Sequence, residues 1–379
     1  MGLTHPFLHS DKSEEKEGIG TAKQGERIMG EPLSFTIHRT WLALESNEGA
    51  FLAYAREHLA DLLSSPVGRP DIQARLHWGR ELVPMRASVN GYHRLGRRLL
   101  RDDNEIVQTE ILSLPGLQLQ TSLTETGLCI DAGFRPPSNR MKRILALGGK
   151  SDQAQIYDTL ICYLVYFPLL WYIERARQMY PIHASAVAWP QGAVILAGLG
   201  GVGRSTTTLA FLSDPDARLL SENLILYDKT RVYAFPEPIC LDNRSRALLI
   251  SLNGRLKPTG RSYPRNRQGY KVPTSARVQS ATPRLFCSLR QGRDVDLSLI
   301  SAEKALAILM SSDMLARELN EYAQQAAAFN LLSSGADSLQ QRIESLKRLL
   351  KRIPCYELTI KPDEDLSNVV ALVRDKLQW

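Results

Sequence analysis

The amino-acid sequence predicts an α/β fold, and three observations support this. An apolar, β-branched run at residues 193–197 leads into a glycine loop and then into the start of a helix at Arg204. Short alternating runs separated by turn residues fill positions 74–135, and Ala- and Leu-rich helical patterns fill positions 302–352. We therefore expect an α/β core with an N-terminal α+β module and a C-terminal helical extension.

The chain of 379 residues is long enough for several units. Residues 1–30 are polar, charged and glycine-rich, which predicts a disordered tail and leaves open whether translation starts at Met1 or at Met29. We predict the α+β module at 31–150, the core at 151–300, and the helical extension with a closing strand at 301–379.

Charge and cysteine content restrict the class of protein. The net charge of +7 is mild for this length; it suggests an anionic ligand or an acidic partner and does not by itself argue for DNA or RNA. The five cysteines are widely spaced with no C-x-x-C, so neither a disulfide framework nor a zinc site is indicated. The N-terminus lacks the apolar segment of a signal peptide. We expect a cytoplasmic protein.

The N-terminal module begins with a strand-like run from Leu33 and a helical pattern at 50–63. A Pro- and Gly-containing linker at 64–70 ends that helix, and strands separated by turns follow to residue 135. A basic cluster lies within this part, and we interpret it as a solvated face; it comprises Arg94, Arg97, Arg98 and Arg101.

The most hydrophobic segment covers residues 159–173 and contains Pro168. It is shorter than the roughly 20 residues that a membrane-spanning helix needs. We predict a buried core helix that kinks or ends near Pro168, and no association with a membrane.

The glycine loop carries the clearest chemical motif. Gly198, Gly203 and Ser205 match the pattern G-x-x-x-x-G-K-S/T, while Arg204 stands at the lysine position. Such a loop turns backbone N–H groups onto a phosphate, and the helix that follows offers its own unpaired N–H groups. The predicted cofactor-binding residues are Gly198, Gly200, Gly201, Val202, Gly203, Arg204, Ser205 and Thr206.

Two other interpretations of this loop stay open. Gly198, Gly200 and Gly203 also fit the dinucleotide pattern G-x-G-x-x-G, with Glu222 near the expected distance of about 20 residues. The second interpretation is a glycine-rich turn that binds no ligand. The basic and hydroxyl residues directly after the loop favour a triphosphate over a dinucleotide.

Several segments together resemble the HPr kinase/phosphorylase-related proteins. They are, in order, YFPLLWYIERAR, PIHASAV, the glycine loop and LLSEN, and they lie within residues 155–245. The resemblance extends thinly to IPCYELTIKPDEDL near the C-terminus, which looks like the closing strand of that group. It implies the P-loop core shared with phosphoenolpyruvate carboxykinase, in which a mixed sheet carries the loop at one edge of a cleft.

This resemblance also implies an activity: ATP- and Mg²⁺-dependent phosphoryl transfer to a hydroxyl of a peptide or protein. By the match, Ser205 and Asn223 are the metal ligands, and Glu222 and Asn223 occupy the places of two acidic residues. His183 corresponds to a histidine beside the phosphates, so the expected catalytic residues are Glu222, His183 and Arg204.

The sequence departs from the family pattern in two places. Arg204 replaces lysine, and Glu222 with Asn223 replaces a pair of aspartates. One alternative is therefore an impaired pseudokinase that acts as a subunit binding a peptide or a partner enzyme. A homo-oligomer is a separate open alternative for the assembly. A Rossmann-like adenylating or redox enzyme is a weaker alternative, because its second motifs are absent. His183 could also be a core histidine, and Glu222 an exposed carboxylate.

A basic stretch lies between Gly254 and Val272 and contains no acidic residue. Its glycines, prolines and tyrosines predict a long loop that either cradles an acidic acceptor or is solvated without a ligand. The candidate substrate-binding residues are Arg261, Arg265 and Arg267.

Overall fold

A computed structural model describes the chain over residues 30–66, 68–82, 92–136, 152–247, 256–263, 267–333, 338–361 and 365–377. The predicted tail, with Met29, lies outside the described residues except for Gly30.

The N-terminal part forms one eight-stranded sheet with the order β1-β2-β3-β8-β7-β6-β5-β4. Strands β2, β3 and β8 run parallel to one another, and the remaining neighbours are antiparallel. Its elements are β1 (Leu33–Ile37), β2 (Thr40–Ser46), α1 (Gly49–His58), β3 (Ile72–Trp78), β4 (His93–Gly96), β5 (Leu99–Arg101), β6 (Glu105–Gln108), β7 (Leu117–Thr124) and β8 (Gly127–Phe134).

The alternating sequence pattern explains these strands. In β3, Ile72, Ala74 and Leu76 are fully buried while the residues between them are not, as expected for one face on the core. The run from Leu33 divides into two strands at His38 and Arg39, which take φ values of 46° and 66°. Two successive residues with positive φ make the tight turn that suits a hairpin.

The apolar segment forms a longer helix than the sequence predicted. Helix α2 (Asp152–Ile161), a π-helical turn (Cys162–Tyr166) and α3 (Phe167–Arg177) follow without interruption, so the expected end near Pro168 is wrong. Pro168 lies in the first turn of α3, directly after the π turn, where the changed hydrogen-bond spacing accommodates its missing N–H. The helix is long and apolar enough to span a membrane, but 83% of its most apolar window is buried inside the protein, as in a core helix.

The C-terminal part is built on a six-stranded sheet with the order β12-β10-β11-β19-β21-β20. Strands β11, β19 and β21 are parallel, and the other neighbours are antiparallel. The elements up to the basic stretch are β9 (Tyr180–Ile182), β10 (Ser185–Trp189), β11 (Gly192–Ala197), α4 (Arg204–Phe211), β12 (Arg218–Ser221), β13 (Ile225–Tyr227), β14 (Val232–Ala234), β15 (Ile239–Leu241) and α5 (Asn243–Ala247).

The remaining elements include two smaller sheets, one ordered β18-β14-β13-β9 and one ordered β15-β17-β16. The predicted closing strand, β21, lies inside the main sheet between β19 and β20. These elements are β16 (Lys257–Tyr263), β17 (Arg267–Lys271), β18 (Ser280–Ala281), β19 (Pro283–Gln291), β20 (Asp296–Ile300), α6 (Ala302–Leu315), α7 (Arg317–Asn330), α8 (Ser338–Leu350), β21 (Cys355–Ile360) and α9 (Leu366–Leu377).

Helices cover both faces of the six-stranded sheet. On one face, Leu209 and Phe211 of α4 share a core with Val369 and Val373 of α9. Helices α6 and α8 supply the apolar side chains on the other face. Helix α7 instead packs into the core of the N-terminal sheet, with Tyr322 among its buried residues. The predicted helical extension therefore contributes to three cores.

The basic stretch is not a loop, which corrects the sequence prediction. Strands β16 and β17 pair as an antiparallel hairpin and extend β15. Glycine, proline and charged residues are uncommon in strands, so the composition concealed the pairing. Arg267 is exposed on β17 and its guanidinium donates to the carbonyl of Cys240 at 3.2 and 3.3 Å. Arg265 and the side chain of Arg261 lie outside the described residues.

Candidate functional site

The glycine loop connects β11 to α4, as the sequence predicted. Gly201 and Gly203 have φ values of 89° and 100°, in the left-handed region that favours glycine. A Cβ atom added at Gly200, Gly201 or Gly203 would meet no atom within 4 Å. The outer surface of the loop is therefore open, with space for a ligand against its backbone.

Helix α4 begins at this loop, with Gly203 as its N-cap and no side chain capping it. The first N–H groups of a helix have no partner within the helix, and the helix dipole adds partial positive charge there. Thr206 lies in this first turn, and its hydroxyl is 3.3 Å from that of Ser245 in α5. The start of α4 is thus suited to an anion.

Ser205 and Glu222 form a direct pair. The Ser205 hydroxyl donates to Oε1 of Glu222, which comes directly after β12. The Ser185 hydroxyl donates to the backbone carbonyl of Glu222 and holds that residue in place. A hydroxyl and a carboxylate at the first turn of the helix are oxygen ligands of the kind that Mg²⁺ takes.

The structure provides only part of a metal coordination shell. In the described part of the chain, no group of three or more His, Cys, Asp or Glu side chains could hold a metal ion. Mg²⁺ commonly binds through one or two carboxylates together with substrate phosphates and water. Ser205 and Glu222 therefore fit a metal that arrives with a phosphate better than a permanently bound one.

Arg204 points toward His183 and Asn223. Its Nη1 donates to the backbone carbonyl of His183 at 3.3 Å, and its Nη2 lies 2.8 Å from Nε2 of that residue. The same Nη2 donates to Oδ1 of Asn223 at 3.1 Å. The Nε of Arg204 is buried and has no hydrogen-bond partner among the described residues. The guanidinium is thus fixed on one side and retains an unsatisfied donor.

His183 is half-buried between β9 and β10. Burial, followed by the positive charge of Arg204, lowers the pKa of His183 to about 4. The imidazole is therefore neutral at neutral pH, and its Nε2 is 3.1 Å from Oδ1 of Asn223.

Glu237 is a site residue that the sequence reasoning missed. It lies between Pro236 and Pro238, and its Oε2 accepts from Nδ2 of Asn223 at 3.4 Å. Burial, with Glu318 as nearby negative charge, raises the pKa of Glu237 to about 8. The Glu237 carboxyl group is therefore mostly protonated at neutral pH. The available signal was a carboxylate fixed between two prolines.

Ser312, Asp313 and Arg342 were also missed. The Asp313 carboxylate accepts from the backbone N–H of His183 at 2.7 Å and from Nη2 of Arg342 at 2.5 Å. The Ser312 hydroxyl lies 3.1 Å from Nδ1 of His183. Ser312 and Asp313 are about 130 positions from His183 in the chain, and Arg342 is further still. None of them belongs to a motif, so no local pattern could indicate them.

The structure brings five of the predicted site residues together in a polar network of two adjacent hydrogen-bonded groups: His183, Arg204 and Asn223 form one, and Ser205 and Glu222 form the other. Asn223, expected as a metal ligand, has its carbonyl oxygen bonded to Arg204. Val202 is partly buried against the core of the six-stranded sheet. Arg267 makes its described hydrogen bonds away from this network, to Cys240.

Comparisons with known proteins give little further guidance. No family model matches the chain, and no curated protein matches it. One similar solved structure is the HPr(Ser) kinase/phosphatase from Coxiella burnetii, which is 10% identical, with 52% of this chain and 94% of that chain covered and a TM-score of 0.24. A likeness of this size supports no inference about activity, so both the α/β fold and the site are assigned from the residues of this chain.

Proposed function

We propose that the protein uses ATP and Mg²⁺ to transfer a phosphoryl group to a hydroxyl of a peptide or protein. The observation that carries the proposal is the open glycine loop, which meets a Ser205–Glu222 pair at the start of α4. In the reaction, the acceptor oxygen bonds to the γ-phosphorus, the bond to the bridging oxygen breaks, ADP leaves and the hydroxyl proton is released.

Arg204 supports the phosphate part of this proposal. Its buried Nε–H lacks a partner in the described structure, and leaving a buried donor unsatisfied costs roughly 1–3 kcal/mol. A phosphate oxygen above the loop would satisfy it, while His183 and Asn223 hold the rest of the guanidinium.

The metal would be held by Ser205 and Glu222 together with phosphate oxygens and water. Bound Mg²⁺ would supply positive charge to the transferring phosphoryl group. We propose that Glu222 also orients the acceptor hydroxyl through Oε2, since its Oε1 bonds Ser205. In this arrangement, Asn223 accepts a hydrogen bond from Arg204 and is not a metal ligand.

One observation favours a second candidate, a binding protein without transfer. Three contacts fix the Arg204 guanidinium toward His183 and Asn223. A lysine reaches the γ-phosphate as a compact, mobile charge, whereas an arginine is planar and larger. Because misplacement by about 1 Å can cost on the order of 100-fold in rate, phosphate binding could persist without useful transfer.

The strand order argues against the Rossmann alternative. In a dinucleotide-binding unit, the strand before the glycine loop lies next to the following parallel strand. Here β10 lies between β11 and β12, the strand that leads to Glu222. The acidic residue therefore does not lie on the strand adjacent to the loop strand.

We propose that the basic stretch between Gly254 and Val272 binds acidic residues of the acceptor through Arg261, Arg265 and Arg267. The sequence between Gly254 and Val272 contains arginines and lysines but no acidic residue, which supports this role. Replacing the three arginines with alanine should weaken the binding of an acidic peptide and make that binding less dependent on salt concentration. The affinity for ATP should stay nearly unchanged. Equal loss of both ligands would assign the basic stretch to the nucleotide.

The transfer experiment combines the protein, γ-labelled ATP, Mg²⁺ and a library of Ser-, Thr- and Tyr-containing peptides. We expect labelled peptide with the wild type, strongly reduced label with Glu222→Gln and Ser205→Ala, and full label with Ser298→Ala, which changes an exposed serine on β20. The combined variant Arg204→Lys, Asn223→Asp distinguishes phosphoryl transfer from binding without transfer. If only this variant transfers label, the natural protein binds without transfer.

A further inference from the structure

The last turn of α6, which is distant from the glycine loop in sequence, contacts both Gly198 and His183. The Ser312 hydroxyl donates to the carbonyl of Gly198 at 3.3 Å and lies 3.1 Å from Nδ1 of His183. The next residue, Asp313, accepts from the His183 backbone N–H. Both α6 side chains are buried. They connect the first residue of the glycine loop with the histidine that contacts Arg204.

Counting hydrogens fixes the direction of these bonds. A serine hydroxyl has one hydrogen, and Ser312 gives it to the Gly198 carbonyl. Toward His183, Ser312 must therefore accept, so Nδ1 carries the imidazole hydrogen and Nε2 presents a lone pair. The two hydrogens on Nη2 of Arg204 then go to that lone pair and to Oδ1 of Asn223.

The opposite tautomer fits this geometry poorly. A hydrogen on Nε2 would face the Nη2 hydrogens of Arg204 across 2.8 Å. Ser312 would then donate to Nδ1 and leave the Gly198 carbonyl without its hydrogen. That tautomer would let Nε2 donate to Oδ1 of Asn223 at 3.1 Å, whereas the Nδ1–H tautomer leaves these two atoms as acceptors that both bond to the Nη2 hydrogens of Arg204. The Nδ1–H tautomer is favoured because it avoids the closer contact between two donors, at 2.8 Å.

Asp313 fixes the main chain of His183. Its two carboxylate oxygens are used separately, one for the His183 N–H and one for Arg342 of α8. The ion pair with Arg342 balances the buried charge, which would otherwise be costly. The position of the imidazole is thus set by α6 and α8 as well as by its own strands.

We infer that Ser312 and Asp313 are positioning residues: they hold His183 as the Nδ1–H tautomer, and through its Nε2 they orient the Arg204 guanidinium beside the glycine loop. The tautomer is assigned from the 2.8 Å contact between Nη2 of Arg204 and Nε2 of His183, together with the bond from Ser312 to the Gly198 carbonyl. The inference rests on the proposed function only in taking a nucleotide phosphate as the ligand that Arg204 meets.

The first test measures the tautomer by long-range ¹H–¹⁵N NMR of ¹⁵N-histidine-labelled protein at neutral pH. The chain has seven histidines, and His183→Gln identifies the His183 signals by their loss. We expect a protonated Nδ1 and a bare Nε2 in the wild type, a shift toward Nε2–H in Ser312→Ala, and the wild-type pattern in Ser312→Thr. The control Ser298→Ala, an exposed serine, should match the wild type.

The second test measures ATP affinity by calorimetry on the same variants. Loss of the acceptor that fixes Arg204 should weaken ATP binding by roughly tenfold in Ser312→Ala, and Ser312→Thr should restore it. An Nε2–H tautomer in the wild type would overturn the inference whether or not the Ser312 variants fold. So would unchanged His183 signals in Ser312→Ala, or equal ATP affinity of that variant and a wild type that binds ATP. If the wild type binds no ATP, the proposed function fails while the NMR test still decides the inference.

Discussion

The glycine loop and the polar cluster behind it differ in how they are built. The loop is contiguous in sequence, at residues 198–203, it leads directly into the first turn of α4, and the space around Gly200, Gly201 and Gly203 is open. The rear cluster, defined as His183, Ser312, Asp313 and Arg342, is assembled from three distant segments, and all but the half-buried His183 are buried. The surface that we propose binds phosphate is therefore local, whereas the groups that orient Arg204 depend on the whole fold. Substitutions in the rear cluster should mainly lower the free energy of unfolding, whereas substitutions in the glycine loop should affect it least.

The largest effect is expected at the buried ion pair of the rear cluster. Asp313→Ala leaves Arg342 without its partner and removes the acceptor of the His183 N–H. We expect the free energy of unfolding, measured by urea denaturation, to fall by about 3–5 kcal/mol.

The matched control for this loss is the more exposed pair of Arg317 and Glu321 on α7. Glu321→Ala should cost at most about 0.5 kcal/mol. In a double-mutant cycle, Asp313→Ala with Arg342→Met should cost clearly less than the sum of the single changes. Additive losses would contradict the coupling of the two charges.

A pH effect of intermediate size is expected from Glu174 in α3. Burial, only partly offset by the charge of Arg342, raises the pKa of this carboxyl to about 7, and its Oε1 has no hydrogen-bond partner in the described structure. Because the pKa is about 4.3 in the unfolded chain, the folded state holds the proton more tightly. Its contribution to stability is complete below about pH 4.3 and is lost as the pH rises through about 7.

The glutamine of the Glu174→Gln variant cannot ionise, so this variant should not show the loss of stability with rising pH. Between pH 5 and pH 8, we expect the free energy of unfolding of the wild type to decrease by on the order of 1–3 kcal/mol more than that of the variant. Glu344→Gln, at an exposed position on α8, serves as the control and should keep the wild-type slope. A wild-type slope in Glu174→Gln would contradict the assignment.

The smallest effect on stability is expected in the glycine loop. Gly203→Ala places a side chain at a φ of 100°, although nothing would contact the added carbon. The strain should cost about 1–2 kcal/mol in denaturation experiments. Gly200 is equally open but does not have a left-handed φ, so Gly200→Ala should stay within about 0.5 kcal/mol. Equal losses in the two variants would show that backbone conformation is not what requires glycine.

This contrast between regions also describes what the sequence could predict. The strand before Gly198, the loop and the start of α4 were predicted because they are adjacent in the chain and each has a local signal. The structure places the separately identified His183, Glu222 and Asn223 against the start of α4, beside the loop, as the family resemblance implied.

Non-local features could not be predicted in this way. Charged residues, glycines and prolines gave the β16–β17 hairpin the composition of a loop, and only its pairing reveals it as a sheet. The helix continues past Pro168 because a π turn precedes that residue, and no periodicity indicates such a turn. Ser312 and Asp313 reach the site only because α6 packs on the face of the sheet beside His183.

The most direct test of the central claim, that the loop binds a nucleotide phosphate with Mg²⁺, is calorimetric titration with ATP. We predict binding at submillimolar ATP in the presence of Mg²⁺, no displacement by NAD, and a loss of about tenfold in Ser205→Ala that disappears when EDTA replaces the metal. Absence of ATP binding at millimolar concentration, or preferential binding of NAD, would contradict the account.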